Sequence, residues 1–233
     1  MDHEHRLIRK IAWVPVGIAA VLAPLHALAR FATPDGQEDL ESGVVRSWAE
    51  PTARTLRPLL DWADADTVYR MYGKGWPVLI AATIVSAVLV RNSRRPGRLE
   101  RLGWRLTLPG LTLMALGLFG FFWIRLDIAY VVAGLPGFLL AVVGSLVLGI
   151  ALLRDGFRPW LVPALLLGWL PLDIALGSVL SAGAGTVPMM AAWALAIRAV
   201  RRDAVSRPTR PITRGIAPAT SSAPRESRRR HGS

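Results

Sequence analysis

The amino-acid sequence predicts an all-α integral membrane protein, built as a bundle of about six transmembrane helices with a short helical cap on the extracytoplasmic side. Apolar residues make up 52% of the 233-residue chain, although it also carries a formal charge of +12. A soluble domain keeps its apolar runs short because it must present a charged surface to water. Here the apolar runs are long and the charges lie between them, which indicates that lipid surrounds the apolar segments.

The predicted spans follow from the lengths of the apolar runs. A helix rises about 1.5 Å per residue and the hydrocarbon layer is about 30 Å thick, so a crossing needs roughly 20 residues. Four runs are long enough, and the second and sixth become so when flanking interfacial residues are included. Proline residues such as Pro163 and Pro171 predict kinks or broken turns within spans. In chain order, the predicted spans are residues 11–30, 76–91, 106–124, 128–153, 159–181 and 184–200.

The distribution of charge predicts the orientation of these spans. Cytoplasmic loops retain Lys and Arg, whereas short translocated loops do not. With residues 1–10 inside, the inner side receives 21 of the 28 basic residues and six acids, and the outer side receives seven basic residues and nine acids. Both termini are therefore predicted to be cytoplasmic, in a multi-pass protein of the cytoplasmic membrane with a basic inner loop at 92–105. The Pro-, Ser- and Arg-rich tail at 201–233 has little to bury and is predicted to be disordered.

The first span has a second interpretation. A basic start from Arg6 to Lys10 precedes an apolar run that ends in Ala27-Leu28-Ala29. This pattern is also typical of a signal peptide with a small-residue cleavage site. Cleavage would remove one helix and leave the other five spans oriented as before.

The segment 31–75 is too long for a simple connection, so we expect it to form a helical extracytoplasmic cap that lies on the membrane. Asp35 is predicted to cap a first helix, Pro51 to start a second, and Asp66 to cap a third that leads into the second span. Apolar residues recur at helical spacing on the first two helices. They are Leu40, Val44 and Trp48 on the first, and Leu56, Leu59, Leu60 and Trp62 on the second.

One acidic residue, Asp173, lies within a predicted span, in its outer half. A carboxylate in the middle of a membrane helix costs about 3 kcal/mol, so it normally faces other helices or a wet cavity and has a partner. Arg125 and His26 are the predicted partners, because both fall in the outer half of the bundle. The cluster is either a proton or substrate site, or a structural feature. In the structural interpretation, a buried hydrogen bond or ion pair fixes helix packing, or the acid is protonated in place. The structural interpretation is the preferred one.

The fourth span carries small residues at successive intervals of four, at Gly137, Ala141, Ser145 and Gly149. This spacing places them on one stripe of a helix, where small side chains let another helix approach closely in lipid. The stripe is predicted to pack against a helix of the same chain in preference to a second copy.

Arginines of the inner loop and of the tail are predicted to contact anionic lipid headgroups, at about 1 kcal/mol for each residue near the surface. Nucleic acid is not the expected partner, because the orientation rule already accounts for these charges and no aromatic platform accompanies them. The arginines concerned are Arg94, Arg95, Arg98, Arg101, Arg228, Arg229 and Arg230.

No catalytic, cofactor or metal constellation is evident in the sequence. The chain has no cysteine, and three of its four histidines, His3, His5 and His231, lie at its ends. The predicted function is therefore a non-enzymatic interaction or structural component of the cytoplasmic membrane, which contacts lipid or another membrane protein through the cap. The alternative is a small-molecule, ion or lipid carrier that uses the polar cluster around Asp173.

The stretch 61–154 resembles uncharacterised small multi-pass membrane proteins of high-GC Gram-positive bacteria. The resemblance is carried by Asp66-Thr67-Val68-Tyr69 before a short span, by the arginine-rich segment Leu99-Glu100-Arg101-Leu102-Gly103-Trp104-Arg105, and by Gly134-Leu135-Pro136-Gly137 in the following span. It implies a helical membrane fold and no particular activity.

Overall fold

The computed structural model describes residues 12–180 and 183–206, and within these ranges every regular element is a helix. Four helices are long and apolar enough to cross a membrane, which agrees with the prediction of an all-α membrane protein. The predicted amino-terminal segment 1–10 and the tail beyond residue 206 lie outside the described residues. The four helices are Val14–Phe31, Ala65–Asn92, Arg98–Phe122 and Tyr130–Arg154.

Ten α-helices follow one another along the described chain. They are α1 (Val14–Phe31), α2 (Gly43–Thr55), α3 (Arg57–Leu60), α4 (Ala65–Gly73), α5 (Gly75–Asn92), α6 (Arg98–Phe122), α7 (Leu135–Arg154), α8 (Leu161–Leu167), α9 (Trp169–Gly177) and α10 (Thr186–Ser206). In addition, a 3₁₀ helix (Pro34–Glu41) precedes α2, and a π-helical turn (Tyr130–Gly134) leads into α7.

The helices α6 and α7 form the most closely packed pair, and glycines make this possible. A Cβ atom at Gly110 would overlap the backbone of Ala141, and one at Gly117 would overlap the backbone of Gly134. The two backbones therefore touch along the seam. In lipid, such close approach supplies the dispersion contacts that apolar side chains alone do not provide.

Around this pair, α5, α8 and α10 complete the apolar core. The indole rings of Trp104 and Trp193 lie 5.2 Å apart between α6 and α10. Trp169, at the start of α9, is fully buried and packs edge to face on Phe138 of α7 at 5.6 Å. These three tryptophans are among the largest fully buried side chains of the described residues.

The predicted fifth span is not one helix but two short ones, α8 and α9, separated at Gly168. Pro171 lies in the first turn of α9 and has no N–H to donate to the carbonyl of Leu167. The helix is therefore interrupted one turn before the proline.

The cap differs from its prediction in where its helices begin. Asp35 lies in the 3₁₀ helix, and Pro51 lies inside α2 instead of starting a second helix. Both Pro51 and Ser47, whose carbonyl loses its usual partner, are exposed, so water can satisfy that carbonyl. The second helix is only the single turn α3, and there Leu59 is exposed.

Asp64, and not Asp66, caps the third helix of the cap. Its carboxylate accepts a hydrogen bond of 3.0 Å from the backbone N–H of Thr67, which lowers the pKa of this exposed carboxyl group. Asp66 lies in the first turn of α4 and pairs with Arg70 at 2.9 Å. Both acids suit the positive end of the helix dipole, so the sequence alone does not separate them.

Two predicted loop boundaries also move. The helix α6 begins at Arg98, so the second half of the predicted inner loop 92–105 is helical. The helix α10 continues to Ser206, six residues into the predicted tail. Pro96 and Gly97 precede α6, and its arginines lie in the first turns of the helix. At α10, arginines follow a helical run without a proline or glycine to stop it, and charge alone does not end a helix.

Candidate functional site

A cavity of about 280 Å³ lies inside the bundle at the end that carries the cap. Its wall is formed by α1, α4, α5, α6, the π-helical turn, α7, α9 and α10, so almost every long element contributes to it. Six of the lining side chains are aromatic, namely Tyr69, Trp76, Phe121, Phe122, Tyr130 and Phe138. The polar side chains among the lining residues, apart from these rings, are His26, Arg30, Asp173 and Thr186.

His26 is a deeply buried polar group of the cavity wall, with 2% of its surface exposed. Its ring stacks on Tyr69 at 4.7 Å and meets the edge of Phe122 at 5.6 Å. Neither ring nitrogen has a hydrogen-bond partner within the described part of the protein. A buried polar atom without a partner costs about 1–3 kcal/mol, so this imidazole is available to a group inside the cavity.

Trp76 is a second unsatisfied donor in the wall. Its side chain is 2% exposed, and its indole N–H has no acceptor among the described residues. The ring meets His26 edge to face at 6.0 Å. The imidazole of His26 and the indole N–H of Trp76, both buried without partners, thus lie side by side at one cavity. Buried polar atoms without a partner are rare in proteins.

Asp173 reaches the cavity from α9, and its position is fixed by the chain that follows. A Cβ atom at Gly185 would overlap the backbone and carboxylate of Asp173, so only glycine permits this contact. The carboxylate is half-buried and forms no ion pair with any residue in the described ranges. When it is ionised, this carboxylate places an uncompensated negative charge at the cavity wall.

Arg30, one helical turn after His26, also lines the cavity, but its charge is already paired. Its Nε donates to the carboxylate of Asp39 in the cap at 3.0 Å. This ion pair ties the 3₁₀ helix to the end of α1 and leaves Asp173 as the cavity's unbalanced charge.

The structure brings His26 and Asp173 to the same cavity and places the third predicted member, Arg125, elsewhere. Arg125 is exposed in the turn after α6, with a left-handed φ of 62°. The sequence located all three at the same depth, but the direction of a turn residue depends on its backbone angles. The spacing of four between His26 and Arg30 was the available signal for the arginine that does line the wall.

The π-helical turn shapes the cavity. Tyr130 and Gly134, at its two ends, both line the wall, and Gly134 packs against Gly117. A π-helical turn inserts one extra residue and often marks a functional site, because it redirects side chains out of the regular helical pattern.

A second buried polar group lies at the opposite end of the bundle. Glu100 is 1% exposed, and its Oε1 accepts hydrogen bonds from Nε of Arg94 and from the indole N–H of Trp104, both at 3.2 Å. Arg94 also lies 3.8 Å from Asp155 and 4.9 Å from the ring centre of Phe157. Arg94, which is predicted from the sequence to contact lipid headgroups, thus bonds to a buried acid, and no local sequence signal marks Glu100 as buried.

Of the other arginines that are predicted to contact lipid headgroups, three lie among the described residues and three do not. Arg95, Arg98 and Arg101 are exposed near the buried Glu100. Arg228, Arg229 and Arg230 lie outside the described residues.

The small-residue stripe of α7 has two partners. Gly137 packs against the backbone of Met114 on α6, as Ala141 does against Gly110. Gly149 packs against Leu167 of α8. Ser145 is fully buried, and its hydroxyl has no partner among the described residues. The glycines of α6 that face this segment, Gly103, Gly110 and Gly117, repeat every seven residues, which is a local signal of the same contact.

The described side chains of the cavity wall are suited to binding a ligand. His26 stacks on Tyr69 face to face, which directs its nitrogens away from a nucleophile such as the tyrosine hydroxyl. Within the described residues, no three His, Cys, Asp or Glu side chains come together in a way that could hold a metal ion. No protein-family model, no curated protein and no solved structure matches this chain.

Proposed function

We propose that this chain is a six-span protein of the cytoplasmic membrane that binds a small organic molecule in the cavity beneath its extracytoplasmic cap. The observation that carries the proposal is the pair of buried, unpartnered polar side chains, His26 and Trp76, at an aromatic cavity of about 280 Å³. Ligand pockets are mostly apolar concavities with a few convergent polar groups, and this cavity has that composition.

The path of the chain between α7 and α10 supports a fifth crossing. Phe157 lies under Arg94, at the end of the bundle that holds Glu100. The carbonyl of Val179 accepts a hydrogen bond of 3.0 Å from the indole N–H of Trp48 in the cap. The broken helix α8–α9 therefore runs from one end of the bundle to the other, although neither part is long enough by itself.

The packing of α10 supports a sixth crossing. Gly183 lies beside Trp76 near the cap, whereas Trp193 packs on Trp104 one turn from Glu100. The fifteen-residue apolar part of this helix, Thr186–Val200, thus returns the chain to the starting side. Together with the charge distribution, this supports both termini on the cytoplasmic side.

The first span is retained in this proposal instead of being cleaved. Ala27, Leu28 and Ala29, the residues that resemble a cleavage site, are each at most 3% exposed. They pack with Val45 and Ala49 of the cap. His26 in the same helix lines the cavity, so removal of α1 would open the site.

The cap lies on the outer leaflet in this proposal. Arg30 and Trp48 tie it to the bundle, and its exposed apolar side chains suit the headgroup region, where tryptophan is enriched. The large apolar residues that it exposes are Val44, Leu59, Trp62 and Met71. Contact between the cap and another membrane protein stays a prediction from the sequence.

Blocking the cavity tests the binding proposal. Leu118 lines the cavity, and Leu116 on the same helix is 59% exposed. We expect Leu118→Trp to lose small molecules that co-purify with the wild-type protein in a mild detergent, and Leu116→Trp to keep them. Mass spectrometry of the denatured extract measures the amount bound for each mole of protein.

A thermal-shift screen of a small-molecule library covers a ligand that is lost during purification. We expect at least one compound to raise the melting temperature of the wild type and of Leu116→Trp but not of Leu118→Trp. If neither measurement distinguishes Leu118→Trp from the wild type, the cavity is not a binding site.

A further inference from the structure

The cavity is lined by aromatic side chains from five different elements. The six rings come from α4, α5, α6, the π-helical turn and α7, at Tyr69, Trp76, Phe121, Phe122, Tyr130 and Phe138. An aromatic ring has a negative face and attracts a cation placed over it, most strongly when both are shielded from water. Cages of such rings are the typical protein environment of an ammonium group.

The charges at the cavity wall point in the same direction. Asp173 supplies a carboxylate with no ion pair among the described residues, and Arg30 is neutralised by Asp39 at 3.0 Å. The net charge at the wall is therefore one negative unit. An enclosed charge in apolar surroundings is stabilised by a counter-ion of opposite sign, and one ligand cation would provide it.

The polar atoms of His26 and Trp76 indicate that the ligand is more than a bare ion. A ring nitrogen of His26 can accept a hydrogen bond from a ligand hydroxyl or ammonium group, and the indole N–H of Trp76 can donate one. The described residues assemble no group of carboxylates and imidazoles suited to a metal cation. At about 280 Å³, the cavity lies just below the range of about 300–1,000 Å³ typical of small-molecule pockets.

We propose that the ligand of this cavity is an organic cation, a protonated amine or quaternary ammonium compound, held by the carboxylate of Asp173 within the aromatic cage. This inference rests on the proposed function, since it names the chemical class of the molecule bound there. The ammonium group belongs either to a free amine or to a lipid headgroup.

Three probes of nearly the same shape and different charge test the inference. They are choline, the neutral 3,3-dimethylbutan-1-ol and the anionic 3,3-dimethylbutanoate. Binding is measured by calorimetry on the full chain in dodecyl maltoside, which contains no ammonium group. We expect choline to bind at least ten-fold more tightly than the neutral alcohol, and the anion to bind most weakly. The inference is overturned if the anion or the alcohol binds as tightly as choline.

Removal of the carboxylate separates its contribution from that of the rings. We expect Asp173→Asn to weaken choline at least ten-fold and to leave the alcohol unchanged. Asp35→Asn, which neutralises an exposed acid of the cap, should change neither. Equal affinity for choline in Asp173→Asn and the wild type would contradict the assignment of the carboxylate.

A ring substitution gives a second measurement if Asp173→Asn does not fold. Phe138→Leu should weaken choline several-fold and leave the alcohol unchanged, since the apolar volume is largely kept. Phe119→Leu, on the exposed side of α6, is the matched control. An equal loss for choline and the alcohol in Phe138→Leu would show that the ring acts only through its apolar area.

Competition in nanodiscs identifies the source of the ammonium group. If phosphatidylcholine displaces choline and phosphatidylglycerol does not, a lipid headgroup occupies the cage. If neither lipid competes with choline, the occupant of the cage is a free amine. Both results support an organic cation as the ligand. Should none of the three probes bind while Leu118→Trp still loses its co-purified molecule, the cation inference fails and the binding proposal stands.

Discussion

Glu100 is the clearest case of a single residue that holds distant segments together. Its carboxylate is 1% exposed and is bonded to Arg94, which also reaches Asp155 at 3.8 Å. The three residues come from the connection after α5, the first turn of α6 and the end of α7. A buried carboxylate is tolerated only where it has such partners, so the charge network fixes how these three ends meet.

Removal of the arginine should therefore be costly. We expect Arg94→Ala to lower the free energy of unfolding by about 3 kcal/mol, because it leaves the buried carboxylate of Glu100 without its cation. Urea or thermal unfolding in detergent measures the change. The neighbouring Arg95 is exposed, so Arg95→Ala should change stability by no more than about 0.5 kcal/mol.

Neutralising the acid provides an internal check on that result. The double variant Arg94→Ala with Glu100→Gln should recover most of the lost stability, because glutamine keeps the hydrogen bond with Trp104 and no longer needs a counter-ion. If the double variant is no more stable than Arg94→Ala alone, the loss comes from packing of the arginine on Phe157 and not from charge.

Among the elements, the α6–α7 hairpin is the rigid centre against which the other helices pack. Its glycines lie at Gly103, Gly110 and Gly117 on α6, each against the backbone or a side chain of the facing helix segment. Such a seam has no spare volume. The cavity lies beside its capped end, so the position of Tyr130 and Phe138 in the cavity wall depends on this contact.

A single methyl group should be enough to disturb the seam. We expect Gly110→Ala to destabilise the protein by about 2 kcal/mol, since its Cβ would overlap the backbone of Ala141 and the helices must move apart. The same substitution at Gly17 of α1 meets no atom within 4 Å and removes a helical glycine. Gly17→Ala should therefore leave stability unchanged or raise it by up to about 1 kcal/mol.

Unfolding with increasing SDS compares the two variants under identical conditions. A loss of similar size in Gly17→Ala would show that the seam is not the cause. Ligand binding at the cavity provides a second measurement. Separation of α6 from α7 in Gly110→Ala should also weaken the binding of any ligand of the cavity, whereas Gly17→Ala should not.

For the whole molecule, the topology of the chain in the membrane decides which surface the cavity faces. The chain contains no cysteine, so single cysteines can be introduced without any background. Glu38 in the cap, Arg95 after α5 and Ser178 after α9 are all exposed. In the six-span topology, the first and third lie outside the cell and the second lies inside.

Labelling with a membrane-impermeant maleimide tests this arrangement. We expect Glu38→Cys and Ser178→Cys to react in intact cells, and Arg95→Cys to react only after permeabilisation. Ser178→Cys is the decisive variant, since α8 and α9 are each too short to span and the fifth crossing depends on both. Reaction of Ser178→Cys only after permeabilisation would remove the fifth and sixth crossings from the proposal.

The sequence by itself determined the solvent of this protein and the depth of its residues. Runs of apolar residues indicate lipid, and they located the long helices, because both follow from local composition and the fixed rise of a helix. The exceptions are the start of α6, about two turns before its predicted span, and the end of α10, six residues after its own. Local signals were also sufficient for the small-residue stripe of α7 and for the depth of His26 and Asp173. They failed for Pro51, which lies inside α2 on an exposed side, whereas the break at Gly168 agrees with the kink or broken turn predicted from Pro171.

Only the tertiary structure decided which of the polar groups meet. His26 and Arg30 face the cavity with Asp173 because α1 is rotated in that direction, and Arg125 points away because its turn has a left-handed backbone. Glu100 is buried because α6 begins about two helical turns earlier than composition suggests and brings it under Arg94. The rotation of a helix about its own axis is set by packing against its neighbours. An almost uniformly apolar run therefore does not predict which of its sides faces the bundle.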